Sequence, residues 1–288
     1  MKDKFATFLS KIILILQKPE MGILPGHLAF FFVMSIIPLI TLIVFFGSFL
    51  NIPTSDLLEF FNTALPKGVG NILVPAFTES TINFGTVALV IITFFIASNG
   101  ANSVITTSNT LYNIKGDDLI RRRVKSIVLT VIIIGLLLFM FLIPIFGEYV
   151  IDIIGNFFKG NKVHDILHLI YSIIKIPISL IYIYLNIKLI YTLSPDKDVK
   201  SSDATNGAIF TTISWVVVTQ IYSYYIANFS NYSRVYGNLS NIIVLMLYLY
   251  LLAYVFVVGM AFNASRKELD EEIEKTGKIN IIKGVHNK

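Results

Sequence analysis

Four polar residues within one hydrophobic stretch are the first candidates for chemistry in this chain. Asn99, Asn102, Thr106 and Asn109 share one face of a helix, because successive residues advance by about 100° around its axis. Amide and hydroxyl groups are costly in lipid, so such a face either lines a cavity or headgroup path or hydrogen-bonds to another helix. Both interpretations stay open on the sequence. We call these four residues the polar stripe.

Lys175 is the second candidate, because it is a basic residue deep in another hydrophobic stretch. About ten residues separate it from either end, or about 15 Å of helix, which is too far for its ammonium group to reach the interface comfortably. It should then face a hydrated cavity, an acidic partner or an anionic ligand. Glu148 and Asp152 are predicted near the outer end of the preceding stretch. Alternatively, the span begins near Tyr171 and Lys175 lies at an interface.

Two prolines are predicted to bend the helices that carry polar groups. Pro38 follows Ser35 in the first hydrophobic stretch, and Pro177 follows Lys175 in the fourth. A proline inside a helix lacks the backbone donor for the carbonyl one turn earlier. We therefore expect a kink at both positions.

Arg121, Arg122 and Arg123 form a basic cluster just before the third hydrophobic stretch. Such a cluster can bind nucleic acid, but next to a membrane span it is typical of contact with anionic lipid on the cytoplasmic side. We predict anionic lipid and no nucleic acid as the partner of this cluster.

Residues for catalysis or metal binding do not form a recognisable motif in the sequence. The four histidines are His27, His164, His168 and His286, and none belongs to an HExxH motif. His164 and His168 are spaced for a metal pair on a helix, but no third ligand is evident. The chain also lacks cysteine and a P-loop. We predict that the protein is not an enzyme and has no catalytic residue, metal site or cofactor.

The composition places these candidates in a membrane protein. The 288 residues are 55% hydrophobic and only 14% charged, with a mean hydropathy of +0.74. A soluble domain carries about 25% charged residues, so soluble enzymes, disordered proteins and fibrous proteins are excluded.

Six hydrophobic stretches are long enough to cross a bilayer, which takes about 20 apolar residues. They run near 28–50, 84–107, 126–151, 166–193, 204–228 and 241–264. Backbone groups in lipid must be satisfied internally, and the strict alternation of a β-barrel is absent. The sequence predicts an all-α, polytopic membrane protein with a six-helix transmembrane domain over residues 28–264.

The segments outside these stretches also have distinct patterns. Residues 1–27 alternate lysines with apolar residues at helical spacing, which predicts an amphipathic helix in the cytoplasmic interface. Residues 51–83 are interrupted by prolines and are predicted to form an external loop with short amphipathic helices. Residues 265–288 are predicted to be a charged cytoplasmic tail that begins as a helix.

The distribution of basic residues predicts the orientation of the chain. Most of the 23 Lys and Arg residues lie in the two terminal segments and in the second and fourth loops. The other side holds Lys67, Lys159, Lys162 and Arg234. By the positive-inside rule both termini are cytoplasmic, and we expect a bacterial cytoplasmic membrane.

Several local strings resemble the YihY/BrkB family of bacterial inner-membrane proteins. They include Gly26–His27–Leu28–Ala29 with Ser35–Ile36–Ile37–Pro38, and Ser98–Asn99–Gly100–Ala101 followed by the arginine-rich loop. Asn206–Gly207–Ala208 and Gly259–Met260–Ala261–Phe262–Asn263 are similar too. The resemblance covers nearly the whole chain and implies six spans with cytoplasmic termini. It supplies no catalytic residues, although the family was once labelled a ribonuclease and other members are associated with virulence or with envelope-lipid transport.

Three functional interpretations follow, in descending order of support. A transporter or flippase for an amphipathic anionic envelope lipid predicts a lateral groove lined by Asn99, Asn102 and Lys175. A non-catalytic scaffold for envelope assembly predicts a close-packed bundle with Lys175 near an interface. A membrane-bound nuclease would need a carboxylate cluster that the sequence does not show. Expected partners are membrane lipids, with a homo-oligomer or envelope machinery as further candidates.

Overall fold

The computed structural model describes residues 19–49, 84–114, 119–157, 161–229 and 236–276, together with Ile13, Gln17 and Ser55. Side chains are described for most of these residues, but not for 140–168, 266–276 or a few further positions, mostly near helix ends. The predicted interfacial helix before Pro19, the external loop 51–83 and the last residues of the tail therefore lie almost entirely outside the described part.

Six long helices overlap the six predicted hydrophobic stretches. They are α1 (Pro19–Phe49), α2 (Phe84–Leu111), α3 (Leu119–Phe157), α4 (Asn161–Leu193), α5 (Thr205–Phe229) and α6 (Ser240–Thr276), and a short 3-10 turn over Gly237–Leu239 precedes α6. The described ranges contain no strand. The all-α fold class is confirmed.

Four of these helices contain segments that are long and apolar enough to cross a membrane, within the residues described. The segments are Pro19–Ile43, Val90–Leu111, Ile173–Leu193 and Ser240–Ser265. Helix α5 carries several Ser, Thr and Tyr residues that lower its hydropathy. The fold is that of a membrane protein, and the count of six helices agrees with the predicted architecture.

The first long helix extends further toward the N-terminus than the predicted first span. Helix α1 begins at Pro19 and not near Leu28, so residues 19–27 belong to the first long helix. Proline is favoured in the first turn, where its missing amide proton costs nothing, and Glu20 complements the positive end of the helix dipole. At the other end, α6 runs without a break to Thr276, so the charged tail begins as a continuation of the last span.

The helices form a ring in chain order, in which each helix packs against the next and α6 closes the ring against α1. The largest core cluster lies at the predicted cytoplasmic end and is centred on Tyr191 and Phe256, which are both buried. The Tyr191 hydroxyl donates to the Phe256 carbonyl and pairs with Thr211 Oγ1, each at 2.7 Å. This network joins α4, α5 and α6.

Asn263 of α6 caps the start of α5. Its Oδ1 accepts a hydrogen bond from the Gly207 amide at 2.8 Å, and its Nδ2 donates to the Ala204 carbonyl at 3.3 Å. The Gly207 amide is one of the first donors of α5, which have no partner within their own helix. A side chain from another helix therefore satisfies a group that a local cap usually satisfies.

Asn263→Ala is expected to lower the free energy of unfolding by about 1–2 kcal/mol, because it leaves the buried Gly207 amide without its partner. The measurement is the thermal unfolding midpoint of the purified protein. Asn228→Ala is the matched control, since Asn228 is exposed near the other end of α5 and its side chain donates to the Tyr224 carbonyl of its own helix. Equal midpoints for the two variants would contradict this role of Asn263.

Candidate functional site

Three of the four residues of the polar stripe lie on the surface of α2 that faces away from the core. Asn99, Asn102 and Thr106 are half-buried, whereas Ala101 and Val104 on the opposite side of the helix are buried. Polar residues at membrane depth usually face the interior of a bundle. Here they lie at its edge, where lipid has access to them.

Arg123 of α3 extends onto the stripe. Its Nη1 donates to Asn99 Oδ1 and its Nη2 donates to the Phe95 carbonyl, both at 2.8 Å. The guanidinium also lies 3.7 Å from the centre of the Phe95 ring, which gives a cation–π contact. The arginine that was predicted to bind headgroups beside the membrane thus reaches the intramembrane amide.

The charge of Arg123 has only neutral partners among the described residues. They are an amide oxygen, a backbone carbonyl and an aromatic ring, and the Nε atom has no hydrogen-bond partner there. Asn99 lies about 12 residues before the end of α2, or about 18 Å along the helix. A cation held at this depth by neutral groups attracts an anion that can reach the half-exposed surface.

The fourth stripe residue, Asn109, has a different environment. It is 4% exposed, and its Nδ2 donates to Asp196 Oδ2 at 2.5 Å while its Oδ1 accepts from the Asp196 amide at 2.9 Å. Lys125 of α3 donates to Asp196 Oδ1 and to the Pro195 carbonyl, each at 2.6 Å. Asn109 therefore fixes the α4–α5 connection to α2 and α3.

The environment of Asp196 favours its charged form. Burial by itself would raise the pKa of Asp196, but hydrogen bonds from Lys125 and Asn109, with the charges of Lys125 and Arg122, outweigh it and hold that pKa below the ordinary value. The carboxylate is therefore a stable anchor at neutral pH and not a proton donor.

Lys175 lies on α4, which packs against α3 and α5. It is half-buried near the start of the apolar segment Ile173–Leu193, and its neighbours Ile173 and Ile176 are exposed. Helix α4 continues through Pro177, as α1 continues through Pro38. The two cation-bearing regions are thus carried by different helices, Arg123 by α3 and Lys175 by α4.

A cavity of about 210 Å³ lies between α1, α2 and α3, with α6 forming one wall. Its lining is almost wholly apolar and comprises Phe32, Ser35, Ile36, Leu39, Ala97, Gly100, Ala101, Thr130, Ile133 and Leu249. None of Asn99, Asn102 and Lys175 is among these residues. The cavity is thus not the predicted groove lined by those three side chains.

Asp196 and Phe95 are site residues that the sequence analysis did not single out. Asp196 lies in the string Ser194–Pro195–Asp196 directly after α4. An acidic residue in a loop on the side of the membrane that is rich in Lys and Arg could have been predicted to form an ion pair. Phe95 offered no such signal, because its carbonyl and ring contribute only through their position next to Arg123.

Within the described residues there is no group of three His, Asp or Glu side chains that could hold a metal ion. His27 is on α1, and its Nδ1 pairs with Ser103 Oγ at 3.1 Å. The side chains of His164 and His168 lie outside the described part of the chain.

Comparison with known proteins shows that the chain matches one protein family. The family model described as Virulence factor BrkB matches residues 17–279. A protein named as ribonuclease-like, YfkH of Bacillus subtilis, is 28% identical over 259 residues, which cover 86% of this chain and 91% of YfkH. A UPF0761 membrane protein of Haemophilus influenzae is 30% identical over 87 residues, covering 30% of this chain and 32% of that protein.

A UPF0761 membrane protein of Tolumonas auensis is 34% identical over 82 residues, covering 28% of this chain and 27% of the relative. No solved structure matches the chain. The long match to the family model confirms the resemblance seen in the sequence strings. This integral membrane protein belongs to the Virulence factor BrkB family.

Proposed function

We propose that this protein moves an anionic amphipathic lipid across the membrane. The headgroup passes along the polar stripe while the acyl chains stay in the bilayer. The observation that supports this function best is the position of Arg123, whose guanidinium lies on the half-exposed stripe and has neutral partners.

The stripe supplies the interactions that a headgroup needs while it is away from water. A guanidinium binds phosphate through paired, charge-assisted hydrogen bonds, and the Asn102 amide and the Thr106 hydroxyl offer further donors on the same face. Each such contact offsets part of the cost of removing the phosphate from water. The stripe lowers the free-energy barrier to moving the headgroup across the membrane. The acyl chains need no such stabilisation, because they stay in the hydrocarbon of the bilayer.

The basic residues at the predicted cytoplasmic end of the stripe fit the same substrate. Arg121 is exposed, and Arg122 is half-buried beside Arg123. Such charges concentrate anionic lipid near the surface, at about 1 kcal/mol for each Lys or Arg. The family relative named as ribonuclease-like suggests hydrolysis, but the described residues offer no acidic cluster that would support it.

The test is lipid flipping in proteoliposomes that contain a fluorescent anionic phospholipid, followed by dithionite quenching. Arg123→Gln is expected to slow flipping at least about tenfold, since one charge-assisted contact is worth about 1.5–3 kcal/mol. Arg121→Gln is the matched control, because Arg121 is the exposed neighbour of the same cluster. Lys175→Ala, with Lys188→Ala as its control on α4, tests the second cationic region.

The proposal is supported if wild type flips lipid faster than empty vesicles do. This faster flipping should be lost in Arg123→Gln and kept in Arg121→Gln. Equal rates for wild type and empty vesicles would reject transport of this lipid class and favour a scaffold. Loss of flipping only in Lys175→Ala would reject the stripe as the path and move the path to α4.

A further inference from the structure

We propose that the apolar cavity between α1, α2 and α3 binds one acyl chain of an ester lipid, with the Ser35 hydroxyl donating to the ester carbonyl. The lining of the cavity indicates both parts of this ligand, the acyl chain and the ester carbonyl. The inference goes beyond the proposed function, because the cavity and the polar stripe share no residue.

The walls of the cavity indicate an apolar ligand. Most lining residues belong to the apolar segments Pro19–Ile43, Val90–Leu111 and Ser240–Ser265, so the surrounding medium is the hydrocarbon of the bilayer. An apolar cavity excludes water, and one of about 150 Å³ already binds benzene. The volume of about 210 Å³ therefore has room for a segment of acyl chain.

The walls of the cavity on α1 and α3 are partly exposed. Phe32, Ile36 and Leu39 of α1 and Ile133 of α3 are only half-buried, whereas Ala97 and Ala101 of α2 are buried. An acyl chain can therefore reach the cavity from lipid without crossing the core of the protein.

Ser35 adds a requirement for one hydrogen-bond acceptor. Its side chain is fully buried, and its Oγ has no hydrogen-bond partner within the part of the chain that the structure describes. Thr130, the other hydroxyl in the lining, already donates to the Ser126 carbonyl at 2.8 Å. Buried polar groups in proteins are nearly always paired, so Ser35 is the group that a ligand would satisfy.

Gly100 makes room for the Ser35 hydroxyl. A Cβ atom at position 100 would lie 2.9 Å from Ser35 Oγ and 3.1 Å from Ser35 Cβ. The hydrogen atom of Gly100 leaves space for the hydroxyl beside the cavity, where an ester carbonyl can accept its hydrogen bond. An ester lipid offers both the acyl chain and this acceptor in one molecule.

The site lies on a different side of α2 from the polar stripe. Ala97 and Ala101 are about 200° around the helix from Asn99, because each residue advances by about 100°. A lipid in the cavity is thus a second lipid and not the one whose headgroup contacts Arg123.

The test uses the full chain in nanodiscs with a phospholipid that carries a diazirine in one acyl chain. Two probes are compared, one with ester linkages and one with ether linkages that lack the carbonyl. We expect the wild type to cross-link the ester probe about threefold more than the ether probe, which corresponds to one ordinary hydrogen bond. The cross-linked peptides are expected from α1 and α2.

Three variants test the binding of the ester carbonyl and of the acyl chain separately. Ser35→Ala is expected to remove the preference for the ester probe. Ala97→Phe fills the cavity and is expected to lower cross-linking of both probes at these peptides. Ile92→Phe is the matched control on α2, because Ile92 is 56% exposed and is not part of the lining.

Equal cross-linking of ester and ether probes by the wild type would overturn the role of Ser35. Cross-linking by Ala97→Phe equal to that of Ile92→Phe would overturn the cavity as the site. If Ala97→Phe fails to fold, the ester preference of the wild type and its loss in Ser35→Ala decide the question. Because the readout is occupancy, it is independent of whether the protein flips lipid.

Discussion

Gly207→Ala is expected to prevent normal packing of α5 against α6. A Cβ atom at position 207 would overlap the Gly259 carbonyl oxygen and would lie 2.5 Å from Asn263 Nδ2. Backbone cannot move aside as a flexible side chain can, so the two helices must separate. Overpacking costs about 1–3 kcal/mol, and loss of the Asn263 cap adds about 1 kcal/mol more.

Gly259 on the facing helix α6 is packed as closely as Gly207. A Cβ atom there would overlap Thr211 Oγ1 and would lie 2.7 Å from the Tyr191 hydroxyl. Gly259→Ala therefore also disturbs the hydrogen bond between Tyr191 and Thr211. We expect both variants to show lower yields of folded protein and lower thermal unfolding midpoints.

Gly135→Ala is the control for both variants. Gly135 lies inside α3, and a Cβ atom there meets nothing within 4 Å. Alanine is also a better helix former than glycine by about 1 kcal/mol. We expect an unfolding midpoint at or above that of the wild type. A Gly207→Ala variant as stable as Gly135→Ala would show that α5 and α6 do not pack through this contact.

Asp196→Asn is also expected to destabilise the protein, because it removes the charge that pairs with Lys125. The Asp196 and Lys125 side chains are 8% and 27% exposed, so the pair is only partly shielded from water. Loss of charge-assisted hydrogen bonds at such a site costs about 2 kcal/mol. Asp198→Asn is the control, since Asp198 is exposed on the same connection.

The stabilisation by Asp196 should depend on pH with a definite sign. Its pKa is lower in the folded protein than in the unfolded chain, so the folded state favours the charged carboxylate. The contribution is complete above the unfolded pKa of about 4, and it is lost as the pH falls through the lower folded pKa. Unfolding midpoints measured from pH 7 to about pH 3 should therefore fall more for wild type than for Asp196→Asn.

An equal decrease of the unfolding midpoint in both proteins would show that the acid sensitivity arises from groups other than Asp196. A larger decline in Asp196→Asn than in wild type would show that the folded state does not favour the charged form. The α4–α5 connection would then not be anchored through the carboxylate.

The sequence by itself determined the class of the protein and the position of its helices. Long apolar runs in lipid must be helical, since no water is present to satisfy backbone groups, so the six helices lie where the runs predict them. It also identified the polar stripe as one face of α2, because residue spacing fixes which side chains share a face. The family resemblance rested on short strings and is confirmed by the match over residues 17–279.

Only the tertiary structure decided which way these faces point. Asn99, Asn102 and Thr106 are partly exposed because α2 buries its opposite side, with Ala101 and Val104, against its neighbours, whereas Asn109 is buried against Asp196. Arg123 contacts Asn99 although 24 positions separate them, because helix packing and not sequence distance sets which elements meet. Periodicity fixes the faces of one helix, but the choice of the face to bury depends on the shapes of all the helices around it.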